Sequence, residues 1–126
     1  MIEIGFVPAS SRLRSARRAI RANLADAHLG IDHVDAVEAV VNELLGAACA
    51  SDVKDELVLR VETFPRLTSV RVHCTRNVQL RDDPFGVRER VLGGYAFAWG
   101  KRRHADGSVD LWAELARPSA PVAASQ

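Results

Sequence analysis

The chain has 126 residues, 48% of them hydrophobic and 26% charged, with a formal net charge of +1 at pH 7. That length suits one domain and that apolar share an ordinary globular core, which excludes wholesale disorder, collagen and a continuous coiled coil. No apolar run reaches the roughly 18 to 20 residues of a membrane span, and Met1-Ile2-Glu3-Ile4 has no basic segment leading into an apolar stretch, so the expected setting is the cytoplasm without membrane contact.

Ile2, Ile4 and Phe6 alternate with Glu3 and Gly5, which predicts a short strand that Pro8 ends. Ser10 and Ser11 are N-cap candidates for a helix over Ser11 to His28, in which Leu13, Ala16, Ile20, Leu24 and Ala27 recur at helical spacing and Gly30 is the stop. Asp32 is the cap candidate for a second helix, with Val34, Val37, Val41, Leu44, Leu45 and Ala48 in one apolar stripe and Ser51-Asp52 closing it. Leu57, Leu59 and Val61 then alternate with Val58, Arg60 and Glu62 as a strand. After the turn at Pro65-Arg66, Leu67 to Thr75 reads as its hairpin partner, with Val70, Val72 and Cys74 on one side and Arg71 and His73 on the other.

Arg76 to Phe85 is a polar loop containing Asp82-Asp83-Pro84. Val87 to Trp99 reads as a third helix, weakened by Gly93-Gly94 at roughly 1 kcal/mol per glycine relative to alanine; paired glycines permit a kink or a close neighbour. Lys101 to Ala105 and Val109 to Leu115 form a last hairpin around Asp106-Gly107. Residues 1–116 are therefore the domain, and 117–126, with Pro118 and Pro121 among Ala and Ser, a disordered tail. The order β-α-α-β-β-α-β-β predicts an α+β fold, a two-layer α/β sandwich whose mixed, largely antiparallel sheet carries three helices on one face.

The charges are segregated. Met1 to His28 carries a net +3, Leu29 to Phe64 a net −6 and the remainder a net +4, a layout that suits protein contacts within a domain or between protomers. Arg14, Arg17, Arg18 and Arg21 recur at helical spacing in one stripe, either a solvated face or a docking surface for an acidic partner. Lys101-Arg102-Arg103-His104 is a short basic run that fits a solvent-exposed edge strand, with phosphate binding as the alternative. Cys49 and Cys74 read as small buried hydrophobes rather than a disulfide framework. His73 and Cys74 are strand neighbours on opposite faces, and His28, His33 and His104 have no ligand spacing around them, so the spacings argue against zinc and no metal ligand is assigned.

Four stretches, in order, resemble the histidine-kinase-like ATPase superfamily, and within it the anti-sigma-factor serine kinases of bacteria. Ser11-Arg12-Leu13-Arg14-Ser15-Ala16-Arg17-Arg18-Ala19-Ile20 is similar to the family's first helix, and Ala39-Val40-Val41-Asn42-Glu43-Leu44-Leu45-Gly46-Ala47-Ala48 to its second. Ala96-Phe97-Ala98-Trp99-Gly100 resembles the end of the third helix, and Leu111-Trp112-Ala113-Glu114-Leu115 the last strand. The resemblance implies an ATP site built from E-x-x-x-N on the second helix, D-x-G after the hairpin, and a glycine-rich segment before the third helix. In it the Asn holds Mg²⁺, the Glu polarises the attacking group, and the Asp reads adenine.

This chain keeps the Glu as Glu43, a catalytic residue only if the site is active. Ala47 stands where the Asn belongs, and a methyl group cannot ligate Mg²⁺. Cys74-Thr75-Arg76 replaces D-x-G, and Gly86 is the one glycine left before the third helix. At roughly 1.5–3 kcal/mol for each charge-assisted bond, the losses together remove ~4–8 kcal/mol, a thousandfold or more in affinity. Glu43, Ala47, Cys74 and Gly86 thus mark a vestigial cleft with no cofactor expected. The expected function is regulation by protein–protein binding, with a sigma factor or an anti-anti-sigma-type regulator as partner, Arg14, Arg17, Arg18 and Arg21 as the surface, and self-association left open. The alternatives are an active serine kinase using ATP and Mg²⁺, and, more remotely, a basic nucleic-acid-binding module.

Overall fold

The computed structural model describes residues 2–6, 10–26, 29–49, 56–75 and 87–118. Along the chain run β1 (Ile2–Phe6), α1 (Ser10–Asp26), α2 (Ile31–Cys49), β2 (Leu57–Thr63), β3 (Leu67–Cys74), α3 (Val87–Tyr95), β4 (Ala98–Arg103) and β5 (Val109–Ala116). The class is α+β, in the element order the sequence predicts. The five strands form one open sheet in the order β1-β2-β3-β5-β4, and every neighbouring pair is antiparallel rather than mixed.

Period-two alternation sorts the side chains onto two faces. Leu57, Leu59 and Val61 of β2, Val70, Val72 and Cys74 of β3, and Val109, Leu111, Ala113 and Leu115 of β5 are all buried. They meet the apolar stripe of α2 (Val34, Val37, Val41, Leu44, Leu45, Ala48), and Ala16, Ile20 and Leu24 of α1 and Leu92 of α3 complete the cluster. One buried polar pair lies within this layer: His33 Nε2 is 2.8 Å from Thr68 Oγ1. Burial, and secondarily the charge of Arg117, holds the His33 imidazole below its ordinary pKa.

Three local readings are revised. The expected end of α1 at His28 lies outside the described residues, but the Gly30 carbonyl accepts the first bond of α2, from Val34 N–H at 3.0 Å, so Gly30 rather than Asp32 is the N-cap. Asp32 then lies in the first turn, where its charge faces the positive end of the helix dipole. Ala96 to Gly100 is not the end of a helix. α3 closes with Ala96 N–H on the Leu92 carbonyl, and the next residue, Phe97, donates to Glu114 O at 3.0 Å, joining β5. The apolar run here serves an edge strand: Trp99 reaches back to α3, where a Cβ on Gly93 would lie 3.4 Å from its indole. Finally, Arg117 is fixed rather than free, its N–H on the Arg66 carbonyl at 2.9 Å and its guanidinium on the Phe64 carbonyl at 2.8 Å. Residues 119–126 of the expected tail lie outside the described residues.

The β4–β5 hairpin turns through Ala105-Asp106-Gly107. Gly107 N–H bonds the His104 carbonyl and His104 N–H the Ser108 carbonyl, and Gly107 has φ of 88°. This is a three-residue loop whose last position favours glycine because a Cβ there is strained. Asp106 accepts bonds from Ser108 N–H at 2.9 Å and Ser108 Oγ at 2.6 Å, which hold its carboxyl below the usual range.

Candidate functional site

The two sheet faces carry different chemistry. Of the residues expected to mark a cleft, Glu43, Ala47, Cys74 and Gly86, three are among the described residues. Glu43 is half-buried on α2. One turn on, Ala47 is packed into the core at 2% exposure, and Cys74 is fully buried at the end of β3. Gly86 lies outside the described residues, as does the loop around it. Next to Glu43, Asn42 has its Oδ1 buried without a hydrogen-bond partner among the described residues. An orphaned carbonyl of this kind costs roughly 1–3 kcal/mol.

The arginine stripe is only partly available. Arg14, Arg17, Arg18 and Arg21 are all exposed on α1. Arg21, however, bridges to α2, with Nη2 on Asp35 at 2.9 Å and Nη1 on Glu38. Those bonds and charges, the Asp35 bond foremost, raise its pKa. Among the described residues, Arg14, Arg17 and Arg18 make no ion pair, so three of the four arginines form the open patch.

The other sheet face is solvent-facing and polar. Register lines its residues up in rows: Gly5, Val58, His73, Asp110 and Arg102 in one, and Glu3, Arg60, Arg71, Trp112 and Gly100 in the next. Trp112 lies over Gly100, where an added Cβ would come within 3.1 Å of the indole. Arg60 and Arg71 stand opposite each other, a repulsive pairing that Glu3, 3.1 Å from Arg60, offsets. The grooves on this face are shallow, about 200 to 370 Å³. That is at or below the lower end of the ~300–1,000 Å³ typical of small-molecule sites, so it suits an ion or a flat partner better than an engulfed ligand.

Its most structured feature is a histidine–aspartate–histidine cluster. His73 Nδ1 is 2.6 Å from Asp110 Oδ1, and His104 Nε2 is 2.9 Å from Asp110 Oδ2. The Asp110 side chain is 8% exposed and each imidazole 38%. Burial pushes the Asp110 carboxyl up, but the bonds from His73 and His104 and their charges together outweigh it, leaving the group below the ordinary carboxylate range. The spacing argument against metal ligands misses this cluster. His104 and Asp110 meet across the Asp106-Gly107 hairpin, a signal present in the sequence. His73 joins only because β3 lies beside β5, a pairing between strands separated by a helix and a third strand.

No family model and no curated protein matches the chain. Among the described residues, no helix is long and apolar enough to cross a membrane.

Proposed function

We propose that this domain is a regulator acting through protein–protein binding, built on the scaffold of the histidine-kinase-like ATPases, with a nucleotide cleft that has decayed. The observation that carries the reading is Ala47. One helical turn from Glu43, where the resemblance calls for a magnesium-binding carboxamide, a methyl group is packed into the core. The buried Cys74 at the adenine-reading position supports it, since a thiol is a poor acceptor for an amine. The element order and the three helices agree with such a scaffold.

The docking surface is the α1 patch of Arg14, Arg17 and Arg18, with Arg21 held in the α1–α2 contact. Its partner is an acidic surface on a sigma factor or an anti-anti-sigma-type regulator, recognised by charge complementarity that speeds encounter and fixes register.

The test has two arms. Millimolar ATP with Mg²⁺ leaves the melting temperature unchanged; a rise that Glu43→Ala abolishes would favour the active serine kinase instead. Purified sigma factors and anti-anti-sigma-type proteins from the same organism are then titrated against the wild-type chain and a triple Arg14→Glu, Arg17→Glu, Arg18→Glu variant. Binding by at least one of them, weakened about tenfold or more by the triple reversal and by added salt, is the expected result. Binding indifferent to the reversal would refute the surface, and tight, salt-sensitive binding to random duplex DNA would favour the nucleic-acid module.

A further inference from the structure

We propose that His73, His104 and Asp110 form a binding site for a divalent transition-metal ion of the zinc and cobalt class. The site lies on the sheet face away from α2 and uses none of the residues of the proposed regulatory reading.

The first argument is geometric. The three side chains each offer one ligand atom, and these atoms lie within 4.8 Å of one another. Tetrahedral zinc at bond lengths of about 2.0–2.1 Å holds its ligand atoms roughly 3.3 Å apart. The two nitrogen–oxygen separations, 2.6 and 2.9 Å, fall on different oxygens of Asp110, so an ion between the imidazoles is held by both oxygens or turns the rings toward one of them. Both imidazoles are partly exposed and have room for that rotation.

The second argument is electrostatic. Asp110 is a buried carboxylate, and among the described residues its side chain meets only the two imidazoles. Arg102 is its register partner across β4 but makes no ion pair with it. A buried carboxylate calls for a cation beside it. A divalent ion meets that need while exchanging two N–H···O bonds for three coordination bonds. Imidazole with carboxylate is a donor set for zinc, cobalt, nickel and iron(II), whereas magnesium and calcium prefer all-oxygen shells.

The third argument is preorganisation. His73 and Asp110 are cross-strand partners on two inner strands of the sheet, near the strand ends, and His104 is fixed by the backbone bonds of the Gly107 loop. Three protein ligands with a solvent-facing fourth position leave room for water on the metal. Arg71 and Arg102 line the adjoining groove with Asp110, so an anion could share that position.

The experiment uses the full chain, stripped with chelator and titrated with Co²⁺ by visible absorption and with Zn²⁺ by calorimetry. One ion binds per chain, at a Kd of ~10 μM or tighter, with the intense visible bands of low-coordinate cobalt. His73→Ala, His104→Ala and Asp110→Asn each weaken binding about tenfold or more. His104→Ala is the variant that guards against misfolding, since it lies at the hairpin end and its circular dichroism and apo melting temperature can be matched to wild type. Zinc raises the melting temperature of the wild-type chain and not of His104→Ala. Failure to bind either metal at millimolar concentration, or binding that survives the His73→Ala, His104→Ala double substitution, overturns the site.

Discussion

His33 makes stability depend on pH in a direction the structure fixes. His33 is 5% exposed and its partner, Thr68, is fully buried, so the native state disfavours the charged ring. Desolvation lowers its pKa below the ordinary imidazole value, and the Arg117 charge adds to that. In the unfolded chain the ring titrates near its ordinary value. Above that value neither state binds the proton and the His33 contribution to stability is fully present. As pH falls below about 6.5 the unfolded chain takes up a proton that the native ring refuses, so stability is lost. The slope approaches, at most, one proton's worth, about 1.4 kcal/mol per pH unit, and flattens once pH passes below the depressed native value. Urea unfolding of the wild-type chain and of a His33→Gln variant between pH 8 and pH 5 isolates the effect, because His73, His104 and the carboxylates are common to both. The difference between the two curves is flat above pH 7 and slopes against the wild type below about 6.5. Arg117→Ala removes the second cause and makes the loss level off at a higher pH. A difference curve flat across the whole range, or one sloping in favour of the wild type on acidification, would refute the reasoning.

The remaining predictions concern the frame. Leu59→Ala opens a cavity under the centre of the sheet at a residue 1% exposed and costs about 2–5 kcal/mol in urea unfolding with little change in m-value. Gly107→Ala forces a Cβ into a backbone with φ of 88° and costs roughly 1–2 kcal/mol by the same measurement, a figure that an unchanged midpoint would contradict. Thr68→Val keeps the volume but leaves the His33 nitrogen without its partner, and destabilises by about 1–3 kcal/mol.

Much of the frame could be read from local pattern because local chemistry decides it. Leu57, Leu59 and Val61 alternate and are buried on one face, and the α2 stripe from Val34 to Ala48 packs as its spacing predicts. The glycine of Asp106-Gly107 turns the last hairpin because the backbone there needs a positive φ. The misreadings fall where a tertiary partner decides. Ala96 to Gly100 has the apolar density of a helix end, yet Phe97 finds the Glu114 carbonyl and the segment enters β4. Strand preference is set by the neighbouring strand more than by the residues themselves. For the same reason the histidine cluster was hidden. Nothing local places β3 beside β5, so nothing local brings His73 to Asp110.

The sheet keeps the two proposals physically separate, and one dipeptide shows how. Cys74 points into the helix-side core, at a position where the family resemblance calls for a carboxylate that reads adenine. His73, one residue earlier, points to the opposite face and bonds Asp110. Strand alternation keeps a ligand on one face from touching the residue that serves the other. On the helix side, the resemblance implies that Ala47 and Cys74 replaced a carboxamide and a carboxylate. Each replacement removes a polar group that would have to be desolvated when no nucleotide is present to satisfy it. Under the regulatory reading, the cleft's decay thus favours a rigid, permanently folded binding frame over a catalytic one. The opposite face shows no such trade, since Asp110 remains a buried carboxylate held by two imidazoles. Ala47 and Cys74 are buried on the helix side, and His73 and His104 meet Asp110 on the other face, so the proposed lack of nucleotide binding and the proposed metal site can be tested independently.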